Sequence, residues 1–231
     1  MDVIDCYLCG LPLDSNTTQD HIIPDKFFKK IDPHRPQLRV HFKCNNLKSM
    51  DDEWFVRQIQ LRSSLNPDAE NEFSKMMDKA IQEKKDAYII GKQLHYYKLA
   101  KTIFNDVSWG IELEHEGQSL IQMKILKKNN DRLLPYLKKM CKGLYIKNVS
   151  DAKLNEPEIT IKHYSDLEIR TNSSSFIKVI RNLINMSKGS NFGQNWDNRI
   201  LYIGNRVNET PDKGYVFVQF YSQLGILAFF S

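Results

Sequence analysis

Two pairs of potential metal ligands near the start of the chain constrain its folding more than any other feature. The first pair is Cys6 and Cys9, and the second is His41 and Cys44. Three thiolates and one imidazole complete a tetrahedral zinc site and leave no position open for a substrate. We therefore predict a structural Zn²⁺ ion that ties together a segment too short and polar to fold on its own core. The alternative is a reduced dithiol beside an unrelated histidine.

Cysteine usage and the apolar pattern indicate the compartment. Three of the four cysteines belong to the two ligand pairs and only Cys141 lies elsewhere, which favours a metal site over a disulfide framework. Residues 1–5 are acidic, whereas a secretory signal begins with basic residues and a longer apolar run. No apolar run approaches the roughly 20 residues that span a bilayer. We expect a cytoplasmic protein with no membrane partner.

A second group of polar residues lies in the same segment and is not required by the zinc. Asp20 and His21 stand just before an Ile-Ile-Pro sequence, and Asn45 directly follows the last of the three cysteines. Because four ligands already fill the zinc, these residues are available for another task. Taken singly, Asp20 and His21 are typical of a surface pair, and Asn45 is typical of a helix N-cap.

Taken together and in this register, residues 6–48 resemble the HNH endonuclease family, whose active site is the ββα-metal fold. The matching motifs are Cys6-x-x-Cys9-Gly10, Asp20-His21-Ile22-Ile23-Pro24 and His41-x-x-Cys44-Asn45-x-x-Lys48. The resemblance implies two strands followed by a helix. A similar order emerges from the residues themselves, which predict strands over residues 17–23 and 37–40 and a helix over residues 45–62.

The resemblance also implies roles for three residues. His21 would be the general base, and Asp20 and Asn45 would hold a catalytic Mg²⁺ or Mn²⁺ ion. Histidine titrates near neutral pH and can therefore deprotonate water. A carboxylate and an amide oxygen suit a hard cation and leave coordination positions for water and a substrate phosphate.

The chain departs from the family pattern at two places. The family's middle position, usually an Asn that braces the loop between the strands, has no clear counterpart. His34, Pro36 and Gln37 lie nearest, and we assign none of them. In addition, the Gly-rich loop that commonly follows the Asp-His strand is replaced by residues 25–30, which read Asp-Lys-Phe-Phe-Lys-Lys.

Two basic clusters on a nearly balanced background indicate a polyanionic partner. Residues 25–48 hold 7 basic groups against two acidic ones, and residues 124–147 hold 8 against one. We predict that the partner is DNA, expected to be double-stranded. The predicted phosphate contacts are Lys43, Lys48, Lys138 and Lys139. The alternative is a solvated charged face on each element.

We predict an α+β protein of two domains: an N-terminal zinc-clipped ββα-metal module, residues 1–64, and a mixed domain of helices and antiparallel strands, residues 65–231. An Asn-Pro sequence at residues 66–67 marks the boundary. In the second domain, periodicity predicts helices over residues 68–90, 94–104, 131–141 and 174–186, the third ending at Gly143. Alternation predicts strands over residues 109–116, 119–126, 158–164, 199–203, 215–221 and 225–230.

The sequence therefore predicts an HNH-type endonuclease that hydrolyses DNA phosphodiester bonds. Its biological setting is expected to be a bacterial anti-phage defence system, in which a partner ATPase or regulatory subunit accompanies the nuclease. The competing hypothesis is a non-catalytic zinc module that binds nucleic acid or a partner protein. That module needs the four zinc ligands but neither Asp20 nor His21.

Overall fold

The structure is a computed structural model with side chains, and it describes most of the chain. The described residues are 5–28, 34–63, 66–90, 95–105, 107–113, 119–125, 127–149, 157–163, 182, 192–196, 199–207, 210–221 and 224–231. Within these ranges the fold is α+β, with helices and antiparallel sheets, and this confirms the predicted class.

The elements follow one another in a mixed order. The helices are α1 (Phe42–Arg62), α2 (Pro67–Ile90), α3 (His95–Asn105) and α4 (Lys127–Asn148). The strands are β1 (Thr17–His21), β2 (Gln37–His41), β3 (Val107–Leu113), β4 (Ser119–Ile125), β5 (Glu158–His163), β6 (Phe192–Trp196), β7 (Ile200–Val207), β8 (Thr210–Phe220) and β9 (Leu224–Phe230). In the part of the chain that the structure describes, none of the helices has the length and hydropathy of a membrane-spanning segment.

The chain divides into two compact units. One comprises residues 1–56 and 135–231, and the other comprises residues 57–134. The second unit holds α2, α3 and the antiparallel β3–β4 hairpin. The predicted domain boundary between residues 64 and 65 stays a prediction. Every residue of the candidate site described below lies in the first unit.

The first unit begins with a hairpin that leads directly into a helix. Strands β1 and β2 pair antiparallel, with Thr17 opposite His41 and His21 opposite Gln37. Helix α1 starts at the next residue, Phe42, which is three residues earlier than predicted. The amide of Phe42 donates a 3.0 Å hydrogen bond to the carbonyl of Asn16, so the start of the helix is attached to the start of the hairpin.

An aromatic cluster anchors the turn that follows β1. Phe27, in a short 3-10 helix (Asp25–Phe27), is fully buried, and its ring centroid lies 4.8 Å from that of Phe220 on β8. Phe55 of α1 stacks on Tyr136 of α4 at 4.3 Å. Burial of aromatic side chains is among the largest single contributions to a core. Phe27 therefore anchors the turn that follows β1 to the core.

The C-terminal strands form a five-stranded antiparallel sheet in the order β5-β9-β8-β7-β6. Four of these strands were predicted, although β7 and β8 extend beyond the predicted bounds. Strand β6 was missed because its central Gly193, Gln194 and Asn195 have low strand propensity. Its pairing with β7, from Phe192 opposite Gly204 to Trp196 opposite Ile200, supplies what local propensity lacks. The helix predicted over residues 174–186 lies outside the described residues.

Helix α4 corrects one prediction about a glycine. The helix continues through Gly143 to Asn148, so Gly143 does not end it. A Cβ atom at this position would lie 2.7 Å from the Tyr7 ring and 3.0 Å from the Ile22 side chain. The contact with Tyr7 is too close for a real Cβ and the contact with Ile22 is tight, so the glycine serves packing rather than termination. Gly143 thereby lets α4 approach the N-terminal segment closely.

Candidate functional site

The two predicted ligand pairs come together in space. The ligand atoms of Cys6, Cys9, His41 and Cys44 all lie within 4.8 Å of one another. A tetrahedral zinc ion with Zn–S bonds of about 2.3 Å places its sulfurs about 3.8 Å apart, so the cysteine–histidine cluster has the right size. These residues can hold one metal ion, and their donor set is compatible with zinc.

The first ligand pair lies in a tight backbone knuckle. The amides of Cys9 and Gly10 both donate to the carbonyl of Cys6, at 3.2 and 2.7 Å, and the amide of Cys6 donates to Leu11 at 2.8 Å. Gly10 has a φ of +75°, a left-handed conformation that costs glycine little and other residues more. The knuckle turns the chain so that Cys6 and Cys9 face the same point.

The ring of His41 is oriented for metal binding through Nδ1. This nitrogen lies 3.4 Å from the Cys9 sulfur and 3.9 Å from the Cys44 sulfur. The opposite nitrogen, Nε2, lies 2.9 Å from the carbonyl oxygen of Pro12 and can donate its hydrogen there. Ligating histidines commonly use the second nitrogen in this way, which fixes both the ring and its tautomer.

The electrostatics of the cluster favour a bound cation. Burial, followed by the neighbouring Cys9 and Cys6 thiols, raises the pKa of Cys44 to about 12. Although burial acts to raise it, hydrogen bonds with the Leu11 backbone and with the Cys6 and Cys44 side chains lower the pKa of Cys9. A thiolate that forms there repels any further thiolate in the cluster. A divalent cation among them supplies the opposing charge and stabilises the thiolates. Cys141 lies on α4 and is not part of the cysteine–histidine cluster. Burial raises its pKa to about 12, as expected of an inert core thiol.

Asp20 and His21 point to opposite sides of the hairpin, because successive side chains of a strand alternate. Asp20 is 2% exposed, and its carboxylate accepts hydrogen bonds from the Tyr7 hydroxyl and, at 3.2 Å, from the Lys48 ammonium group. Burial raises the pKa of Asp20, although both partners act in the opposite direction. The side chain is thus enclosed by protein groups.

Lys48 is the centre of a buried polar network, made of Tyr7, Asp20, Lys48, Asp52 and Tyr136. Its ammonium group donates to the carbonyl of His21 at 2.8 Å and lies 3.1 Å from an oxygen of Asp52. Tyr136 of α4 donates its hydroxyl to Asp52 at 2.6 Å. Burial and the adjacent Asp52 carboxylate raise the pKa of Tyr136 well above its ordinary value, which keeps this hydroxyl protonated.

Replacing Tyr136 with phenylalanine tests the contribution of this network to stability. The change keeps the ring that stacks on Phe55 but removes the donor to Asp52. We expect the free energy of unfolding to fall by about 1.5–3 kcal/mol, because a hydrogen bond to a charged group is lost. Urea denaturation of the zinc-loaded wild type and variant measures this difference in the free energy of unfolding.

The matched control is the same change at Tyr97, a half-buried tyrosine of α3 whose ring meets Lys84 at 5.3 Å, a contact that phenylalanine retains. It is expected to be nearly neutral. Equal stability of the Tyr136→Phe variant and the wild type would count against a stabilising network.

His21 lies on the other side of the hairpin with its side chain 32% exposed, between two partners. Its Nδ1 lies 3.2 Å from an oxygen of Asp25, and its Nε2 lies 2.6 Å from the side-chain nitrogen of Gln37. The same Asp25 oxygen accepts a hydrogen bond from Arg35. His21, Asp25, Arg35 and Gln37 are therefore linked by side-chain contacts.

Asn45 joins α1 to the strand that carries Asp20 and His21. Its side-chain nitrogen lies 3.3 Å from the carbonyl oxygen of Gln19 on β1. Because α1 begins at Phe42, Asn45 lies within the first turn and is not the N-cap. The structure therefore brings Asn45 against the middle of β1, and it places Asp20 inside, against Lys48.

The predicted phosphate contacts occupy different environments. Lys43 and Lys139 are exposed, Lys138 is half-buried, and Lys48 is 7% exposed with its ammonium group bound to protein oxygens. Lys138 and Lys139 both lie on α4, where half-buried Lys138 stands seven residues before buried Tyr145 and therefore on the same face of the helix. Their role in DNA binding stays a prediction, and the buried position of Lys48 does not favour the role predicted for it.

Several residues were not predicted from the sequence to belong to this site: Tyr7, Asp25, Arg35, Asp52 and Tyr136. Two had a local signal, because Asp25 stands four residues after His21 and Asp52 stands four residues after Lys48. Such spacing is informative only where the backbone is known to bring the two side chains together. Tyr136 had no local signal.

The chain was compared with models of known protein families, with curated proteins and with solved structures, and no match was found in any of the three.

Proposed function

We propose that the N-terminal segment is a ββα-metal module and that the protein is a metal-dependent endonuclease of the HNH type that cuts DNA. The observation that carries this proposal is the position of His21. It is partly exposed at the end of β1, and the hairpin and helix around it are joined by the cysteine–histidine cluster. A histidine held at a partly exposed position by two polar partners is suited to proton transfer.

In the proposed reaction, His21 accepts a proton from the water that attacks the phosphodiester. Asp20 and Asn45 are the proposed ligands of a Mg²⁺ or Mn²⁺ ion, which when bound would stabilise the phosphoryl charge and the departing oxygen. Asn45 lies against β1 at Gln19, the residue before Asp20. The cysteine–histidine cluster has no part in the chemistry and maintains the geometry of the hairpin and helix.

The carboxylate of Asp20 needs a rearrangement before it can bind a cation. Both of its oxygens have partners, Tyr7 and Lys48, and the side chain is almost fully enclosed. A cation ligand must present a lone pair to a site that water and phosphate can reach. In the arrangement described here Asp20 does not meet that requirement, so the proposal requires Asp20 to leave at least one partner.

Gln37 is our proposed counterpart of the middle position of the family motif. Of the three nearest residues, Gln37 is the cross-strand partner of His21 and touches its ring. An amide side chain at this position can brace the strand end and the following turn, which is the role expected of the family's asparagine.

The direct test is incubation of the zinc-loaded protein with supercoiled plasmid. We expect nicked or linear DNA in the presence of Mg²⁺ or Mn²⁺ and intact plasmid in the presence of EDTA. Since EDTA can also remove the structural ion, re-addition of Mg²⁺ to a sample whose zinc content has been measured is the necessary control. Cleavage that is insensitive to chelation would contradict a metal-dependent mechanism.

The second candidate is a non-catalytic zinc module that binds nucleic acid or a partner protein. The burial of Asp20 against Tyr7 and Lys48 favours it, because this carboxylate has a clear structural role. A gel shift of intact DNA without cleavage at any divalent metal concentration would support this candidate. The anti-phage setting and a partner ATPase or regulatory subunit remain proposals attached to the nuclease.

A further inference from the structure

The contacts of His21 have one consistent assignment for a neutral ring. Asp25 offers only acceptor oxygens when ionised, so Nδ1 must carry the hydrogen of the 3.2 Å contact. Nε2 then has a lone pair, which accepts from the amide group of Gln37 at 2.6 Å. Both neighbours therefore favour the same tautomer, with the hydrogen on Nδ1.

Asp25 is held in place independently of His21. Its backbone carbonyl accepts a 2.9 Å hydrogen bond from the Phe28 amide, within the turn that buried Phe27 anchors. Its side chain accepts from Arg35, whose guanidinium lies 5.7 Å from the centroid of the Phe28 ring. The Arg35 side chain is only 10% exposed. A carboxylate fixed by backbone and arginine contacts can orient an imidazole beside it.

We propose that Asp25 is a positioning residue for His21, fixing the tautomer with the hydrogen on Nδ1 so that Nε2 is the proton-accepting nitrogen. The assignment of the tautomer depends only on the two contacts of the ring, whereas its catalytic role depends on the proposed nuclease function. The amide nitrogen of Gln37 occupies the position beside Nε2 where the reacting water would bind, so the amide must move away before the water can bind there. Arg35 in turn holds Asp25.

The proton and charge balance of the step follows from these positions. The water oxygen forms a bond to phosphorus as its proton passes to Nε2, and the bond from phosphorus to the departing oxygen breaks. That oxygen takes a proton from solvent. The ring becomes an imidazolium cation, which the adjacent Asp25 carboxylate stabilises, and the ring returns its proton to solvent afterwards.

The experiment uses the full zinc-loaded chain and three variants. Asp25→Ala removes the acceptor, and Asp25→Glu restores a carboxylate. Glu53→Ala is the matched control because it removes another carboxylate that is paired with a basic side chain, here Lys26, and that does not contact His21 in the structure. The tautomer of His21 is measured by nitrogen-15 chemical shifts of the ring at a pH where it is neutral. The nicking rate is measured at saturating DNA, together with the half-saturating DNA concentration.

We expect wild-type His21 to carry its hydrogen on Nδ1. Asp25→Ala leaves only the Gln37 amide to favour that tautomer, so the fraction of rings with the hydrogen on Nε2 should rise. The maximal nicking rate of Asp25→Ala should fall by roughly 10- to 100-fold, a part of what a general base contributes, with little change in half-saturation. Asp25→Glu should recover the wild-type tautomer and much of the rate, and Glu53→Ala should match the wild type in both. Zinc content and melting temperature show that each variant is folded.

A wild-type ring with its hydrogen on Nε2, or an unchanged tautomer in Asp25→Ala, overturns the inference. Failure of the proposed function is a separate result. If Asp25→Ala changes the tautomer while the wild type cuts no DNA, the positioning contact stands and the nuclease assignment falls. If the wild type cuts DNA and Asp25→Ala cuts equally well, the nuclease assignment stands and the role of Asp25 falls.

Discussion

Replacing His21 with alanine is expected to reduce metal-dependent nicking by about 100- to 10,000-fold, the range that a general base contributes. Zinc content and thermal stability should stay close to those of the wild type. The reason is structural: His21 is partly exposed at the end of β1, and its contacts are with Asp25 and Gln37 rather than with the core. Loss of the ring therefore removes the proposed base without opening a cavity.

His21 is a sharper test than Asp20. An Asp20 variant would lose the buried partner of Tyr7 and Lys48, so reduced activity could come from instability alone. For His21, the matched control is His95→Ala, a change of the same type at an exposed histidine of α3. We expect that control to cut plasmid at the wild-type rate. Undiminished cleavage by the His21→Ala protein would rule out the proposed base.

Replacing Cys44 with serine is expected to have the largest effect on stability. A closed four-ligand site is expected to hold about one zinc ion per chain, and the zinc content of the variant should fall well below that value. The melting temperature should drop by at least about 10 °C, because binding of a structural zinc ion contributes directly to the free energy of folding. Elemental analysis and a thermal melt of the same sample measure both effects.

The physical basis of this prediction is the position of the cluster. The ion would join the N-terminal knuckle to the end of β2 and the first turn of α1. The control is Cys141→Ala, which removes the buried thiol of α4 and should leave zinc content unchanged. Full zinc content in the Cys44→Ser protein would show that Cys44 is not a ligand. Equal zinc loss in the control would point to a general folding defect.

Local patterns in the sequence predicted much of the N-terminal part of the first unit. The ligand pairs, the strand ending near His21 and the following helix were predictable because each depends on spacing within a few residues. The paths of α4 and β6 were not. By its local pattern Gly143 predicts the end of the helix, but in the structure Tyr7 and Ile22 pack against it and leave no room for a side chain. Strand β6 lacks local strand propensity and depends on its pairing with β7.

The sequence alone determined which residues can hold a metal, because four ligands in two short pairs leave few other uses for them. Only the tertiary structure decided the surroundings of Asp20 and His21. Strand alternation sends Asp20 inward to Lys48, and Tyr136 reaches the same network from a helix far along the chain. The pairing of β1 with β2 and the turn after β1 place His21 between Gln37 and Asp25. Contacts of this kind depend on packing between distant segments, which no local pattern encodes.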